Sequence, residues 1–381
     1  MYNYIPLEQA ADILDSYRKP VNSKERLNLI KGKPLDELFP YYGATGQVGW
    51  IDSFLTDGEY ILLGEDGAPF LNPYAEKAYI IYGKTWVNNH AHILRSKTNN
   101  EFLCYYLNYF NYKNYVSGTT RLKLTQAQMR KIPIPNIPSD EQSRIVASIE
   151  ELFSELDKAV DTLKTTKEQL EVYRQTILVD AFRAATNSTY LKVGCVCAKI
   201  VDCPHSTPKW EKSGKLCLRT TNFKRGYLDL QSPNYVSEET FHDRNRRIIP
   251  QPGDVLYSRE GSVLGIACTI PSNVYPCLGQ RMMLLRSGEK LNNRYLMHYL
   301  NSPMVTNHVI ATKGGTGSPH INVGDIKEFQ IPIPSLEEQS NIVRQIEEQL
   351  SSCDNVEKTV DTALAQADAM RQSILKQAFE A

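Results

Sequence analysis

Two long stretches of this 381-residue chain carry a helical pattern of apolar positions. In residues 141–184, and again in residues 338–381, apolar or small side chains recur at alternating spacings of four and three. This heptad pattern is typical of a coiled coil, in which one stripe of each helix packs against a partner helix. The predicted seam of the first copy, matched by the equivalent positions of the second, comprises Ile145, Ile149, Leu152, Leu156, Ala159, Leu163, Thr166, Leu170, Tyr173 and Ile177.

The two stretches are copies of one sequence. They align without a gap, about half of their positions are identical, and each follows an Ile-Pro-Ile-Pro run at 132–135 or 331–334. Each start carries a capping-box pattern, Ser139 with Gln142 and Ser335 with Glu338. A helix of this length measures roughly 66 Å. A repeated helix with divergent sequence before each copy indicates a shared frame that carries two different parts.

The connection between the copies predicts their relative direction. The first helix ends near residue 184, and the chain reads as a globular domain again by residue 191. Such a linker covers at most about 25 Å, too short to return along the whole helix. The two helices are therefore expected to pack antiparallel.

The remaining regions alternate short strands, Gly-rich turns and one clear helix each. The sequence thus predicts an α+β protein with two globular α+β domains separated by two long α-helices, which form an antiparallel coiled coil with pseudo-two-fold symmetry. The predicted boundaries are 1–137 for the first globular domain, 138–184 for the central helix, 185–336 for the second globular domain and 337–381 for the C-terminal helix.

Charge is segregated although the net charge is zero. Residues 1–137 hold 15 basic and 13 acidic side chains, and residues 185–336 hold 18 and 11, whereas both helices are acidic. A basic surface is typical of nucleic-acid binding, but solvated Glu-rich helices alone would leave the remainder basic. Charge therefore leaves both interpretations open.

The sequence motifs favour a protein that is not itself catalytic. The nearest match to the Asn/Asp-Pro-Pro-Tyr/Phe motif of adenine methyltransferases is Asn72-Pro73-Tyr74, which lacks the second proline. Gly83-Lys84-Thr85 lacks the upstream glycine of a phosphate loop. The group Cys195, Cys197, Cys203, His205 and Cys217 does not have a standard zinc-ligand spacing, so buried thiols are favoured over a metal site. We expect no cofactor and no metal in this chain.

The order of parts resembles the specificity subunit of type I restriction–modification systems. The resemblance rests on the repeated Ile-Pro-Ile-Pro run, the Glu-Gln that follows it, and the Ala-Phe at the end of each helix. The segments at 39–49, 202–208 and 252–256 look like openings of the family's target-recognition domains. By this resemblance each domain reads one half of a split, asymmetric site in double-stranded DNA.

The resemblance also implies partners. The helices would dock two adenine methyltransferase (modification) subunits that bind S-adenosylmethionine, and restriction would add two translocase subunits that use ATP and Mg²⁺. No apolar run is long enough to span a membrane and the N-terminus does not resemble a secretory signal, so a cytoplasmic location with reduced cysteines is expected. The alternatives are a catalytic DNA methyltransferase and a coiled-coil scaffold without a nucleic-acid role.

The loops before the two Ile-Pro-Ile-Pro runs are the predicted DNA contacts. Gly and Thr allow backbone N–H groups to approach phosphates, and Arg or Lys adds charge or a bidentate grip on guanine. An ordinary Gly-rich loop with solvated cations remains the alternative. The predicted DNA-binding residues are Gln47, Thr119, Thr120, Arg121, Lys123, Arg259, Lys313, Thr316, Ser318 and His320.

Overall fold

A computed structural model describes residues 3–185, 188–261, 263–312 and 319–380. The chain divides into two compact units. Unit 1 comprises the chain up to residue 164 together with the residues from 360 onwards, and unit 2 comprises residues 165–359. Each unit therefore combines one globular part with a segment of each long helix.

Short strands and short helices alternate through the globular part of unit 1. They precede the first long helix, α5, and are supplemented by 3-10 turns at Asp15–Tyr17 and Leu35–Glu37. The elements are β1 (Tyr4–Pro6), α1 (Leu7–Ala10), β2 (Ala11–Ile13), α2 (Ser23–Ile30), β3 (Phe39–Gly43), β4 (Gly46–Ile51), β5 (Thr56–Asp57), β6 (Tyr60–Gly64), β7 (Ala78–Ile81), β8 (Lys84–Val87), β9 (Ala91–Ser96), α3 (Asn100–Tyr109), β10 (Val116–Ser117), β11 (Lys123–Leu124), α4 (Gln126–Met129), β12 (Pro133–Pro135) and α5 (Ser139–Ala184).

Unit 2 has a similar succession of elements, which ends in the second long helix, α11. A 3-10 turn at Thr220–Asn222 lies among them. The elements are β13 (Thr189–Lys192), α6 (Val193–Val196), β14 (Cys197–Asp202), β15 (Lys215–Leu218), β16 (Phe223–Lys224), β17 (Tyr227–Leu228), β18 (Tyr235–Val236), α7 (Glu238–Arg244), β19 (Val255–Ser258), β20 (Ala267–Thr269), β21 (Cys277–Leu278), β22 (Met282–Ser287), α8 (Asn293–Asn301), α9 (Pro303–Thr312), α10 (Val323–Lys327), β23 (Gln330–Ile333) and α11 (Leu336–Glu380).

Each globular part contains its own four-stranded antiparallel sheet, and the two sheets have the same topology. Its strand order is β2-β9-β6-β7 in unit 1 and β14-β22-β19-β20 in unit 2. Each Ile-Pro-Ile-Pro run forms a strand, β12 or β23, that pairs with the first strand of its own unit, β1 or β13. The predicted α+β class is confirmed, and the duplication extends from the helices into the globular parts.

The remaining sheets differ between the units. Unit 1 adds a second four-stranded sheet of order β4-β3-β8-β5, whereas unit 2 adds a three-stranded sheet of order β18-β15-β21. The small pairs β10-β11 and β16-β17 complete the two units. The common sheet is therefore the frame of each unit, and the second sheet is where the units diverge.

Within each unit the two helices run antiparallel, as the linker length predicts. In unit 1, Arg371 forms an ion pair with Asp157 and lies over the ring of Phe153, 5.0 Å from its centroid. In unit 2, the equivalent Arg174 forms an ion pair with Asp354. The same Arg–Asp pair thus joins α5 and α11 once in each unit.

The predicted coiled-coil seam is only half correct. The predicted positions seven residues apart that include Ile149 and Leu156 are buried or half-buried, but Leu152 and Tyr173 are exposed. The other half of the seam lies one residue later than predicted, at Phe153 and at the positions that follow it every seven residues. The cause is that adjacent apolar pairs fit either phase, and that Arg174 turns inward to reach acidic partners on α11.

The Ala-Phe near the end of each helix anchors that helix in a globular part. Phe182 is fully buried, and its ring meets those of Tyr295 and Tyr299 on α8 edge-on, with centroids 5.1 Å apart. In unit 1, Phe379 makes the equivalent contacts to Phe102 and Tyr106 on α3. Edge-to-face rings at these separations add to the gain from burying apolar area.

The Gln of each Glu-Gln ties the helix start to the same globular part. Gln339 is completely buried, accepts a hydrogen bond from the Asn292 N–H, and donates to the carbonyls of Lys290 and Pro334. Gln142 likewise donates to the Ile137 carbonyl.

One of the two predicted capping boxes forms and the other does not. The box forms at Ser335, where the Glu338 N–H donates to Oγ and the Ser335 N–H donates to the Glu338 carboxylate. At Ser139 the prediction is wrong, because the Gln142 side chain bonds Ile137 and Thr98 instead.

We expect Phe182→Ala and Phe379→Ala each to lower the free energy of unfolding by about 3–5 kcal/mol, because each leaves a cavity among aromatic rings. Tyr173→Ala is the matched control, since its half-exposed ring should cost about 0.5 kcal/mol or less. Urea unfolding followed by circular dichroism measures all three. A loss for Tyr173→Ala equal to that of the Phe variants would contradict this packing.

Candidate nucleic-acid interface

In unit 1 the loop before α4 is held against the turn that follows β6. The turn comprises residues 65–67 and the loop residues 117–124. Gly118, with a φ of +101°, lets the loop fold back on itself, because a Cβ there would lie 2.3 Å from the Arg121 carbonyl oxygen. The contacts between turn and loop are Gly67 N–H to the Leu122 carbonyl (2.9 Å), Leu124 N–H to the Glu65 carbonyl (2.7 Å) and a β-bridge between Asp66 and Lys123.

Unit 2 has the same arrangement, formed by the turn 259–261 after β19 and by residues 319–321. We call it the turn–loop bridge in both units. The contacts are Gly261 N–H to the Pro319 carbonyl (2.9 Å), Ile321 N–H to the Arg259 carbonyl (3.0 Å) and a β-bridge between Glu260 and His320. The described end of the second predicted loop, residues 319–320, therefore occupies the position in unit 2 that the end of the first loop occupies in unit 1.

The predicted residues of the first loop are solvent-exposed. Thr119 and Thr120 lie at its tip. Arg121 is paired with Asp66 at 2.7 Å and Lys123 with Glu65 at 3.3 Å. More than half of each cationic side chain remains exposed. The cationic ends can therefore turn towards a phosphate, and Glu65 keeps Arg18 as its partner when Lys123 does so.

The second loop is described in part. Lys313, Thr316 and Ser318 lie outside the described residues. His320 is partly buried and forms the β-bridge to Glu260.

Arg259 occupies a different environment from the one expected of a base-reading side chain. It is 8 % exposed, and its Nε and Nη2 donate to the two carboxylate oxygens of Asp202 at 2.8 and 3.0 Å. This bidentate pair uses the same fork of donors that would grip guanine. Gln47, by contrast, is exposed on the β3–β4 hairpin and donates to the Gly49 carbonyl.

Sequence reasoning missed a polar surface beside the bridge of unit 2. Thr207 donates to Gln280, Gln280 donates to the His205 carbonyl, and Arg281 lies next in sequence with its side chain 54 % exposed. Arg281 has a φ of +66°, which is uncommon for a residue other than glycine, and its carbonyl accepts from the Arg259 N–H. Such backbone outliers are enriched at functional sites, so the angle at Arg281 makes this surface a candidate contact.

Arg244 belongs to the scaffold under that surface. It is buried and donates to the carbonyls of Pro204, Ser206, Leu278 and Gly279. Its guanidinium is therefore engaged by backbone carbonyls rather than directed to solvent. Its role is to tie the 204–207 segment to the strand end at 278–279.

A buried charge network supports the bridge of unit 1. His92 is fully buried, with Nδ1 2.8 Å from the Asp15 carboxylate and Nε2 3.0 Å from the Leu124 carbonyl. Burial raises the pKa of Asp15, but hydrogen bonds and charge attraction from His92, with further bonds from Gln126 and the Ile93 N–H, outweigh it and hold that pKa below its usual value. Arg18 pairs with both Asp15 and Glu65.

The motifs considered for catalysis or metal binding form ordinary structure. Asn72-Pro73-Tyr74 is a turn in which the Asn72 side chain accepts from the Tyr74 N–H, and Lys84 and Thr85 begin strand β8. In the part of the chain that the structure describes, no three His, Cys, Asp or Glu side chains are grouped to hold a metal ion. Across the same residues, no helix combines the length and apolarity needed to cross a membrane.

Comparison with known proteins gives consistent matches. The sequence profile described as "Type I restriction modification DNA specificity domain" matches residues 9–172 and 205–365. A putative type I restriction enzyme specificity subunit of Haemophilus influenzae is 28 % identical, covering 89 % of this chain and 85 % of that protein. The EcoDI specificity subunit of Escherichia coli is 24 % identical, covering 95 % and 87 %.

Solved structures agree on the fold. A chain from a structural study of type I restriction–modification assembly superposes with a TM-score of 0.68 at 19 % identity, covering 99 % of this chain and 97 % of that one. The HsdS subunit of Thermoanaerobacter tengcongensis superposes with a TM-score of 0.55 at 20 % identity, covering 99 % and 96 %.

We expect Arg259→Ala to lower the free energy of unfolding by about 1–3 kcal/mol, because it leaves the Asp202 carboxylate without its main partner. Arg121→Ala should change it by about 0.5 kcal/mol or less, since that side chain is largely exposed. Urea unfolding of both variants checks the difference. Equal stability of the two would contradict the structural role assigned to Arg259.

Proposed function

Because this chain belongs to the type I restriction–modification DNA specificity family, we propose that it is the subunit that selects the DNA site for such a complex. It works together with other subunits of the system. Each globular part reads one half of a bipartite, asymmetric site in double-stranded DNA. The paired helices dock two methyltransferase (modification) subunits and, in complexes that restrict, two restriction/translocase subunits.

The observation that carries this proposal is the turn–loop bridge, which forms twice with the same backbone bonds but with different side chains. The turn reads Glu-Asp-Gly in unit 1 and Arg-Glu-Gly in unit 2, and the loop residue bridged to it is Lys123 or His320. Side chains at base edges carry sequence information, whereas a common backbone does not. One frame with two sets of side chains therefore suits a target with two unlike halves.

The exposed residues of the first loop supply suitable chemistry for DNA. Thr119 and Thr120 offer hydroxyl and backbone N–H donors to phosphate, and Arg121 and Lys123 supply charge that also suits guanine. Gln47, and Lys313, Thr316, Ser318 and His320 in the second loop, stay proposed contacts. Arg259 contributes through the position of the turn, because its guanidinium is already engaged by Asp202.

We place catalysis on the partner subunits. S-adenosylmethionine, and ATP with Mg²⁺ for restriction, would bind there rather than on this chain. The turn formed by Asn72-Pro73-Tyr74 supports this division, because it does not contain the paired prolines of an adenine methyltransferase motif.

The direct experiment is to map methylated adenines in DNA exposed to the chain together with its modification subunit. We expect modification at one split, non-palindromic site, and no methyl transfer by either protein alone. Binding of S-adenosylmethionine by the isolated chain would favour the methyltransferase alternative. Absent or salt-insensitive DNA binding with the partner present would favour the scaffold, because phosphate contacts weaken steeply with salt.

Variants of the first loop test the proposed contacts. Arg121→Ala and Lys123→Ala should each weaken DNA binding by the complex about five-fold or more, by removing a phosphate or guanine contact. Lys113→Ala, an exposed cation outside the bridge, is the control and should bind as the wild type does. Binding is measured by fluorescence anisotropy at several salt concentrations, and unchanged affinity in both loop variants would remove this loop from the interface.

A further inference from the structure

The residue that follows β6 or β19 does two things at once. Its carbonyl holds the loop, accepting from Leu124 N–H in unit 1 and from Ile321 N–H in unit 2. Its side chain, from Glu65 or Arg259, points into a mostly buried ion pair. The orientation of the peptide that holds the loop is therefore coupled to the position of a charged side chain.

Asp202, the partner of Arg259, and Asp15, which shares Arg18 with Glu65, occupy equivalent places beside the common sheet. Asp202 is the last residue of β14, and Asp15 is two residues beyond the end of β2. In the strand registers, Ile200 pairs with Leu285 and Ile13 with Leu94, so Asp202 and Asp15 are each two residues beyond matched positions. In unit 2 the ion pair joins Asp202, at the end of the edge strand, directly to Arg259 in the turn, whereas in unit 1 Arg18, beyond the edge strand, pairs with both Asp15 and Glu65.

The sign of the charge is reversed between the units. In unit 2 a basic Arg259 is held by the acidic Asp202, whereas in unit 1 an acidic Glu65 is held by the basic Arg18. Because Glu65 is negative it also attracts the loop cation Lys123 at 3.3 Å. A positive side chain in place of Glu65 could not form an ion pair with a lysine. In unit 2, where Arg259 occupies that place, the loop residue equivalent to Lys123 is His320.

We propose that the ion pairs Asp202–Arg259 and Arg18–Glu65 are positioning devices, each of which sets the base specificity of one half of the DNA target. This proposal rests on the proposed function. The side chains themselves do not touch the bases. They fix the turn, and through it the loop that reads the bases, because supporting contacts determine how closely a binding group keeps its geometry. Each pair acts within its own unit, so each should affect a different half of the site.

The test uses the full chain in complex with its modification subunit and reads methylated adenines across a library of sites that differ by one base. Arg259→Met and Asp202→Asn remove the pair of unit 2, and Glu65→Gln removes that of unit 1. Arg246→Ala is the control, because Arg246 is an exposed arginine of unit 2 that pairs with Asp243 and makes no contact of the bridge.

We expect discrimination against wrong bases to fall roughly five-fold or more in one half of the site for Arg259→Met and Asp202→Asn, and in the other half for Glu65→Gln. The opposite half should stay unchanged in each case, and Arg259→Lys, which keeps the charge, should recover part of the loss. A role limited to stability would lower total methylation without changing the preference at single positions.

Two results overturn the inference. One is an unchanged base preference in variants that fold, as judged by circular dichroism. The other is an equal loss of base discrimination in both halves of the DNA site. If Arg259→Met does not fold, Asp202→Asn and Glu65→Gln decide the question. If the wild-type complex modifies no split site, the proposed function fails together with the inference, so that failure is distinguished from a failure of the inference alone.

Discussion

The structure depends on two helices that are each shared between two units. The start of α5 and the end of α11 complete unit 1, and the end of α5 and the start of α11 complete unit 2. Neither globular part has a full core without both, because Phe379 fills the space beside α3 and Phe182 the space beside α8. The Arg–Asp pairs hold α5 and α11 in register within each unit, since each arginine pairs with an aspartate on the other helix.

That shared frame explains how one chain carries two different surfaces. The common four-stranded sheet, the Ile-Pro-Ile-Pro strand and the turn–loop bridge repeat in both units. The side chains on the bridge and the second sheet do not repeat. A constant backbone with variable side chains separates positioning from recognition, which is the arrangement that sequence-specific DNA binding requires.

Much of this was predictable from sequence, and the failures have physical causes. The helices, their direction and the two candidate loops followed from the repeat and the linker. The phase of the coiled-coil seam could not be predicted, because Leu152 and Phe153 are adjacent apolar residues and only packing decides which of them is buried. Arg259 resembles a surface residue in a Ser-Arg-Glu-Gly turn, and its partner Asp202 lies 57 positions earlier, a separation that no local pattern reveals. Arg281 was missed because its signal is a backbone angle.

Exchange of one globular part tests the central claim most directly, namely that each unit reads its own half of the target. Residues 188–334 can be replaced by a second copy of residues 3–137, because both segments begin and end on the same paired strands, β1 with β12 and β13 with β23. Adenine methylation mapped with the modification subunit should then show two copies of one half-sequence in place of two unlike halves. Retention of the original asymmetric site by this chimera would contradict the account.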